Sequence, residues 1–199
     1  MKTKLAIFQR GMCALSLGLV AMGQTALAKD MTAFELAREG NRYVGEQSKD
    51  KVVQIRSEKS IAGLTSDIWH VVYYDPDATL KAVEVTFGAG KKMDVKRPVR
   101  LLEPILKADD PLPAEKLKID SDKALDIAKS EPLLAKLTLK ASRSVLERRS
   151  LDDATPVWKI YFWAAKLKTP NEDADVGDVV ISAEDGTVLK INLKPANVD

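Results

Sequence analysis

The sequence predicts an α+β protein of two tandem repeats, each a helix followed by an antiparallel sheet. Three observations predict it. Two Trp-led aromatic segments, Ile68–Tyr74 and Val157–Trp163, begin the same way. Their tryptophans, Trp69 and Trp158, lie about 90 residues apart, a spacing that marks a duplicated unit and has to be found before any fold is assigned. An amphipathic stretch precedes each segment, and alternating apolar residues closed by a turn follow it.

The first 28 residues read as a signal peptide. Lys2, Lys4 and Arg10 precede a short apolar run from Gly11 to Gly23, and Ala26-Leu27-Ala28 is an A-x-A cleavage site. The run is shorter than the roughly 20 residues a membrane-spanning helix needs. No second apolar run follows, so no membrane span is expected in the mature chain. The full chain carries a net charge of +2; losing three basic residues and no acidic one leaves the mature chain just on the acidic side of neutrality. That balance lacks the basic footprint of a nucleic-acid binder. Cys13, the only cysteine, leaves with the leader, so no disulfide or thiol chemistry is expected. A periplasmic or secreted location follows as an expectation.

The first repeat, 29–98, opens with a helix expected from Thr32 to Glu46. Thr32 and Glu35 form a capping box. Ala33, Leu36, Ala37, Gly40, Tyr43 and Val44 make one apolar stripe. Gly40 within it costs helix propensity, which points to close approach of the helix to a sheet. Val52, Val53 and Ile55 start a strand that fades into Arg56–Lys59. The Trp69 strand, an Asp75-Pro76-Asp77 turn and the alternation Val83, Val85, Phe87 come next. Gly88-Ala89-Gly90 turns the chain into a fourth strand at Met93 and Val95. Residues 99–120 read as a linker, with Pro111 and Pro113 disfavouring helix and central strand.

The second repeat, 121–199, has a helix capped by Asp120 or Ser121 with a face of Ala124, Ile127 and Ala128, broken near Pro132. Leu137, Leu139 and Ala141 alternate, then the Trp158 strand follows. A long polar loop separates it from Val179 and Ile181. Asp185-Gly186 between alternating apolar residues signals a hairpin into Val188–Leu193.

The segments Asp122–Ala128, Val157–Phe162 and Val179–Leu189 together resemble a PepSY domain. In that family a helix packs on a short antiparallel sheet ending in a pattern similar to V-x-I-D-A-x-T-G-x-V-L. Here Ser182 replaces the usual Asp, and Asp185 stands where Thr is common. The resemblance covers most of 121–195; residues 31–97 are further from the pattern, with Gly88-Ala89-Gly90 at the turn. It implies an exported, non-enzymatic module with a protein-binding or peptidase-inhibitory role. The alternative is a structural or accessory subunit of a cell-envelope complex.

Catalytic chemistry finds no footing. His70 is the only histidine, which excludes H-E-x-x-H and any two-histidine metal site. There is no G-x-S-x-G for a nucleophile and no glycine-rich nucleotide motif. The acidic stretch Asn171–Asp178 has the carboxylates a hard cation takes. An EF-hand, however, needs Gly at position 6 and Glu at position 12, and counting from Asn171 puts Val176 and Ser182 there. A solvated loop is expected, with no metal, no cofactor and no catalytic residue.

The aromatic strands carry the binding expectation. Trp69, Val71 and Tyr73, and equally Trp158, Ile160 and Phe162, share one face of their strands and should form the cores. The opposite faces hold His70, Val72 and Tyr74, and Lys159, Tyr161 and Trp163. A sheet with one covered face should be polar on the other. Two arrangements fit the excess of apolar residues: lobes stacked sheet against sheet, which a short linker favours, or an exposed aromatic patch. Tyr161, Trp163, Val72, Tyr74 and His70 are therefore the candidate residues for binding a protein or peptide partner in the envelope.

Overall fold

The computed structural model describes residues 31–97, 111–150 and 152–199. The expected signal peptide, with Cys13, and residues 99–110 of the expected linker lie outside them. Helix α1 spans Ala33–Gly40. Strands β1 (Val52–Ser57), β2 (Ile68–Tyr74), β3 (Ala82–Gly88) and β4 (Lys91–Lys96) follow. Helix α2 spans Ser121–Lys129. The remaining strands are β5 (Leu139–Arg148), β6 (Pro156–Ala165), β7 (Asp173–Ser182) and β8 (Val188–Leu193).

All eight strands form one antiparallel sheet in the order β4-β3-β2-β1-β5-β6-β7-β8. This corrects the expected α+β pair of helix-plus-sheet repeats. Among the described residues a single sheet dominates, with two short α-helices, and they form neither two separate lobes nor two stacked sheets. The join is β1 against β5, with Ile55 opposite Leu146 and Arg56 opposite Val145. Each would otherwise be an edge strand with a row of unpaired N–H and C=O groups, and pairing satisfies both. Serines extend the join past the two paired positions of the ladder. The Ser144 amide donates to Ser57 Oγ at 2.9 Å, and the Ser142 amide to Ser60 Oγ at 2.9 Å. Ser60 N–H returns a bond to Ser142 O at 2.9 Å. Ser57, within the stretch Arg56–Lys59 where the strand is expected to fade, and Ser60 just after it belong to this seam.

The helices seal the same junction from one side. The Ala33 amide donates to Ser121 Oγ at 3.0 Å and the Phe34 amide to Asp120 Oδ1 at 3.1 Å. That same Asp120 oxygen accepts the Ser121 amide at 2.7 Å. One carboxylate thus serves the free N–H groups of two helix N-termini, where negative charge is favourable. A single hydrophobic core lies under both helices and crosses the expected domain boundary. It contains Leu36, Ile55, Trp69 and Tyr73 from the first half and Ala124, Trp158, Ile160 and Phe162 from the second.

Local signals behave as their chemistry requires. The capping box forms: Glu35 N–H donates to Thr32 Oγ1, and Thr32 N–H to Glu35 Oε2 at 2.8 Å. The helix stops at Gly40, six residues before the expected end. Beyond it the Asn41 side chain exchanges two hydrogen bonds with Asp50, which sits in the left-handed region at φ 59°. Strand β7 begins at Asp173, so the acidic segment expected as a loop is mostly strand, paired from Ala165 onward.

Gly40 does mark a close approach to the sheet. A Cβ there would lie 2.0 Å from Tyr73 Oη, whose hydroxyl donates to Ala37 O at 2.6 Å. Tyr73 is fully buried and cannot swing away. Gly40→Ala should therefore destabilise the fold by about 1–3 kcal/mol despite alanine's higher helix propensity. A denaturant midpoint unchanged or raised would contradict this packing.

Candidate functional site: the helix-free face of the sheet

Both helices pack on the face that carries Trp69 and Trp158, so neither covers the other. Alternation along each strand sends Gln54, Arg56, His70, Glu84, Arg143, Glu147, Lys159, Tyr161 and Asp178 to this second face. A polar lattice runs across it. Glu84 is only 2% exposed. It accepts from Arg56 Nη2 at 2.8 Å, pairs with Lys96 Nζ at 3.1 Å and contacts His70 Nδ1 at 3.1 Å. Gln54 Nε2 donates to Glu147 at 2.9 Å, and Lys159 pairs with the same carboxylate.

Burial alone would raise the pKa of Glu84. The hydrogen bonds from His70, Arg56 and Lys96 outweigh it and hold the carboxyl well below the usual range. Lys159 shows the mirror case. Desolvation pulls its ammonium down, but the Glu147 carboxylate beside it leaves the pKa raised. Tyr161 is pushed up, first by burial and then by the charge of Asp178. At neutral pH these groups keep their charges and the phenol keeps its proton.

The five residues singled out from sequence share this face but not one patch. Val72 is fully buried, in a small cluster with Val53, Ala82 and Tyr74, and so offers no contact surface. His70 is held between Glu84 and Glu58, its Nε2 lying 3.2 Å from Glu58 Oε1, and it serves the ionic lattice. Tyr161 and Trp163 lie on β6, three strands from Tyr74 on β2 and displaced toward the opposite end of the sheet. Each aromatic carries a cation over its ring: Lys51 at 5.8 Å over Tyr74, Arg143 at 5.9 Å over Tyr161, and Lys59 at 4.7 Å over Trp163. These contacts answer why aromatics stand on a polar face, since a cation over the ring replaces part of the lost burial.

The sequence reading missed Glu84, Arg56, Glu147 and the cations flanking Tyr161. Their signal is faint. Each is a charged residue at an outward position of a strand, the ordinary pattern of a solvated face. On the β6–β8 side the face hollows into a cavity of about 370 Å³ lined by Arg149, Lys159, Tyr161, Asp178, Lys190 and Asn192. Among the described residues no group of three or more His, Cys, Asp and Glu is placed to hold a metal ion, and no helix is long and apolar enough to cross a membrane. Comparison with known proteins finds no matching family model, no similar curated protein and no similar solved structure.

Proposed function

We propose that this protein is an exported, non-enzymatic binding module that takes a protein partner on the β5–β8 part of its helix-free sheet face. The observation that carries the reading is the state of Tyr161 there. It is half-buried, flanked by Arg143, Lys159 and Asp178, and it borders the cavity. Amphipathic aromatics beside arginine are the residue types that dominate binding energy at protein interfaces. The likeness of residues 121–195 to the PepSY pattern supports export and a non-catalytic role, and a peptidase is the partner class that likeness favours.

The test is capture of a partner from the protein's own envelope fraction by the wild type and by Tyr161→Ala and Arg143→Ala. A central interface tyrosine is worth about 2 kcal/mol or more, a roughly 30-fold loss of affinity. Both variants should keep the cooperative melt of the wild type, because neither side chain belongs to the core under the helices. Capture that survives both substitutions undiminished would remove this face from consideration.

A further inference from the structure

The two end strands of the sheet differ in what they offer a partner. Strand β4 (KKMDVK) has lysine at half of its positions, a charge density that discourages another strand from pairing. Strand β8 (VLKINL) has one lysine; both edges expose apolar side chains, Met93 and Val95 at 60% and 38% on β4 and Leu189 and Ile191 at 37% and 44% on β8, so charge is what separates them. The side chains of β8 divide by face. Lys190 and Asn192 stand opposite Val180 and Asp178 on the helix-free face. Ile191 stands opposite Val179 on the other, where Leu193 packs at the margin of the core.

The cavity described above runs up to this edge. Its walls bring Arg149, Lys159 and Lys190 together with a single carboxylate, Asp178. Asn192 Nδ2 donates to that carboxylate at 3.1 Å. Lys159 is paired with Glu147, and Arg149 lies 3.6 Å from Asp153. Lys190 makes no ion pair among the described residues and stands nearest the edge.

Resting on the protein-binding reading above, we propose that β8 is a docking edge for an extended peptide that alternates acidic and aliphatic residues. The peptide adds a ninth strand through main-chain hydrogen bonds. Its acidic side chains fall on the helix-free face beside Lys190, with Lys159 and Arg149 behind. Its aliphatic side chains fall on the opposite face, against Ile191 and Leu193. The period of two along a strand is what allows one peptide to satisfy both faces.

The test uses fluorescein-labelled octapeptides and the purified protein, read by fluorescence anisotropy. A Glu-Val alternating peptide should bind at least tenfold more tightly than its Lys-Val counterpart. N-methylation of alternate amides should abolish binding, because it removes the donors the edge requires. Lys190→Glu should weaken binding at least tenfold, whereas Lys92→Glu on β4 should leave it unchanged. Equal binding of the two octapeptides, full binding of the methylated one, an unaffected Lys190→Glu or no binding at all would each overturn the assignment. Running the same variants in partner capture separates this inference from the broader reading. Loss with Tyr161→Ala but not with Lys190→Glu leaves the face reading standing and removes the edge. Retention in Tyr161→Ala with peptide binding intact does the reverse.

Discussion

Replacing Trp158 with alanine should lower the unfolding free energy by about 4 kcal/mol, the usual cost of deleting a buried tryptophan. For a chain of this size that is a fall in Tm of about 8–16 °C. Trp158 is fully buried, its indole N–H donates to Ile119 O at 2.8 Å, and its ring lies 6.2 Å from that of Phe34 on α1. It therefore ties a strand of the second half to the helix of the first and to the segment that leads into α2. The loss should appear as one cooperative transition moved to lower temperature, because the core is continuous across both halves. Two resolved transitions, one shifted and one at the wild-type midpoint, would show that the halves melt independently and would contradict a single core. Trp69→Ala should follow the same pattern, since its indole N–H is likewise satisfied, by Ser66 O at 2.9 Å.

Glu84→Gln should cost about 3 kcal/mol at neutral pH, the low end of the range for breaking a buried ion pair. The low end applies because Arg56 and Lys96 retain access to water, at 27% and 49% side-chain exposure. The pH dependence gives the sharper readout. The folded-state pKa of Glu84 is depressed, so its stabilisation is fully present above the unfolded value, about 4.3, and drains away as the pH falls below it. Glutamine cannot titrate. The difference in stability between wild type and Glu84→Gln should be constant from pH 7 to about 5 and should narrow progressively below about 4. Urea unfolding at a series of pH values measures it. A difference that stays flat to pH 2.5 would mean that the carboxylate is not held by Arg56, His70 and Lys96 in solution.

How far the sequence reaches can be seen residue by residue. The alternation of Trp69, Val71 and Tyr73 against His70, Val72 and Tyr74 correctly divides β2 between core and second face, because a strand's period of two is a property of the backbone itself. The Thr32–Glu35 box and Gly40's closeness to the sheet were legible for the same reason: each is settled by a few neighbouring atoms. What covers the second face was not legible. Val72 reads as an outward residue and is fully buried, and Glu84 reads as a solvated acid and is 2% exposed. Both outcomes depend on residues that distant segments bring alongside.

The sequence by itself determined the order of the two helices, where α1 and α2 begin, and which side of each Trp strand turns inward. Those properties follow from side-chain periodicity, capping and turn chemistry, which act over a few residues. Only the tertiary structure decided that β1 and β5 pair, which turns two expected lobes into one sheet with one core. That pairing is made by backbone N–H and C=O groups, which every residue but proline carries alike and which no side-chain pattern can label. The joined sheet then sets the helix-free face, the lattice around Glu84 and the contrast between its two edges.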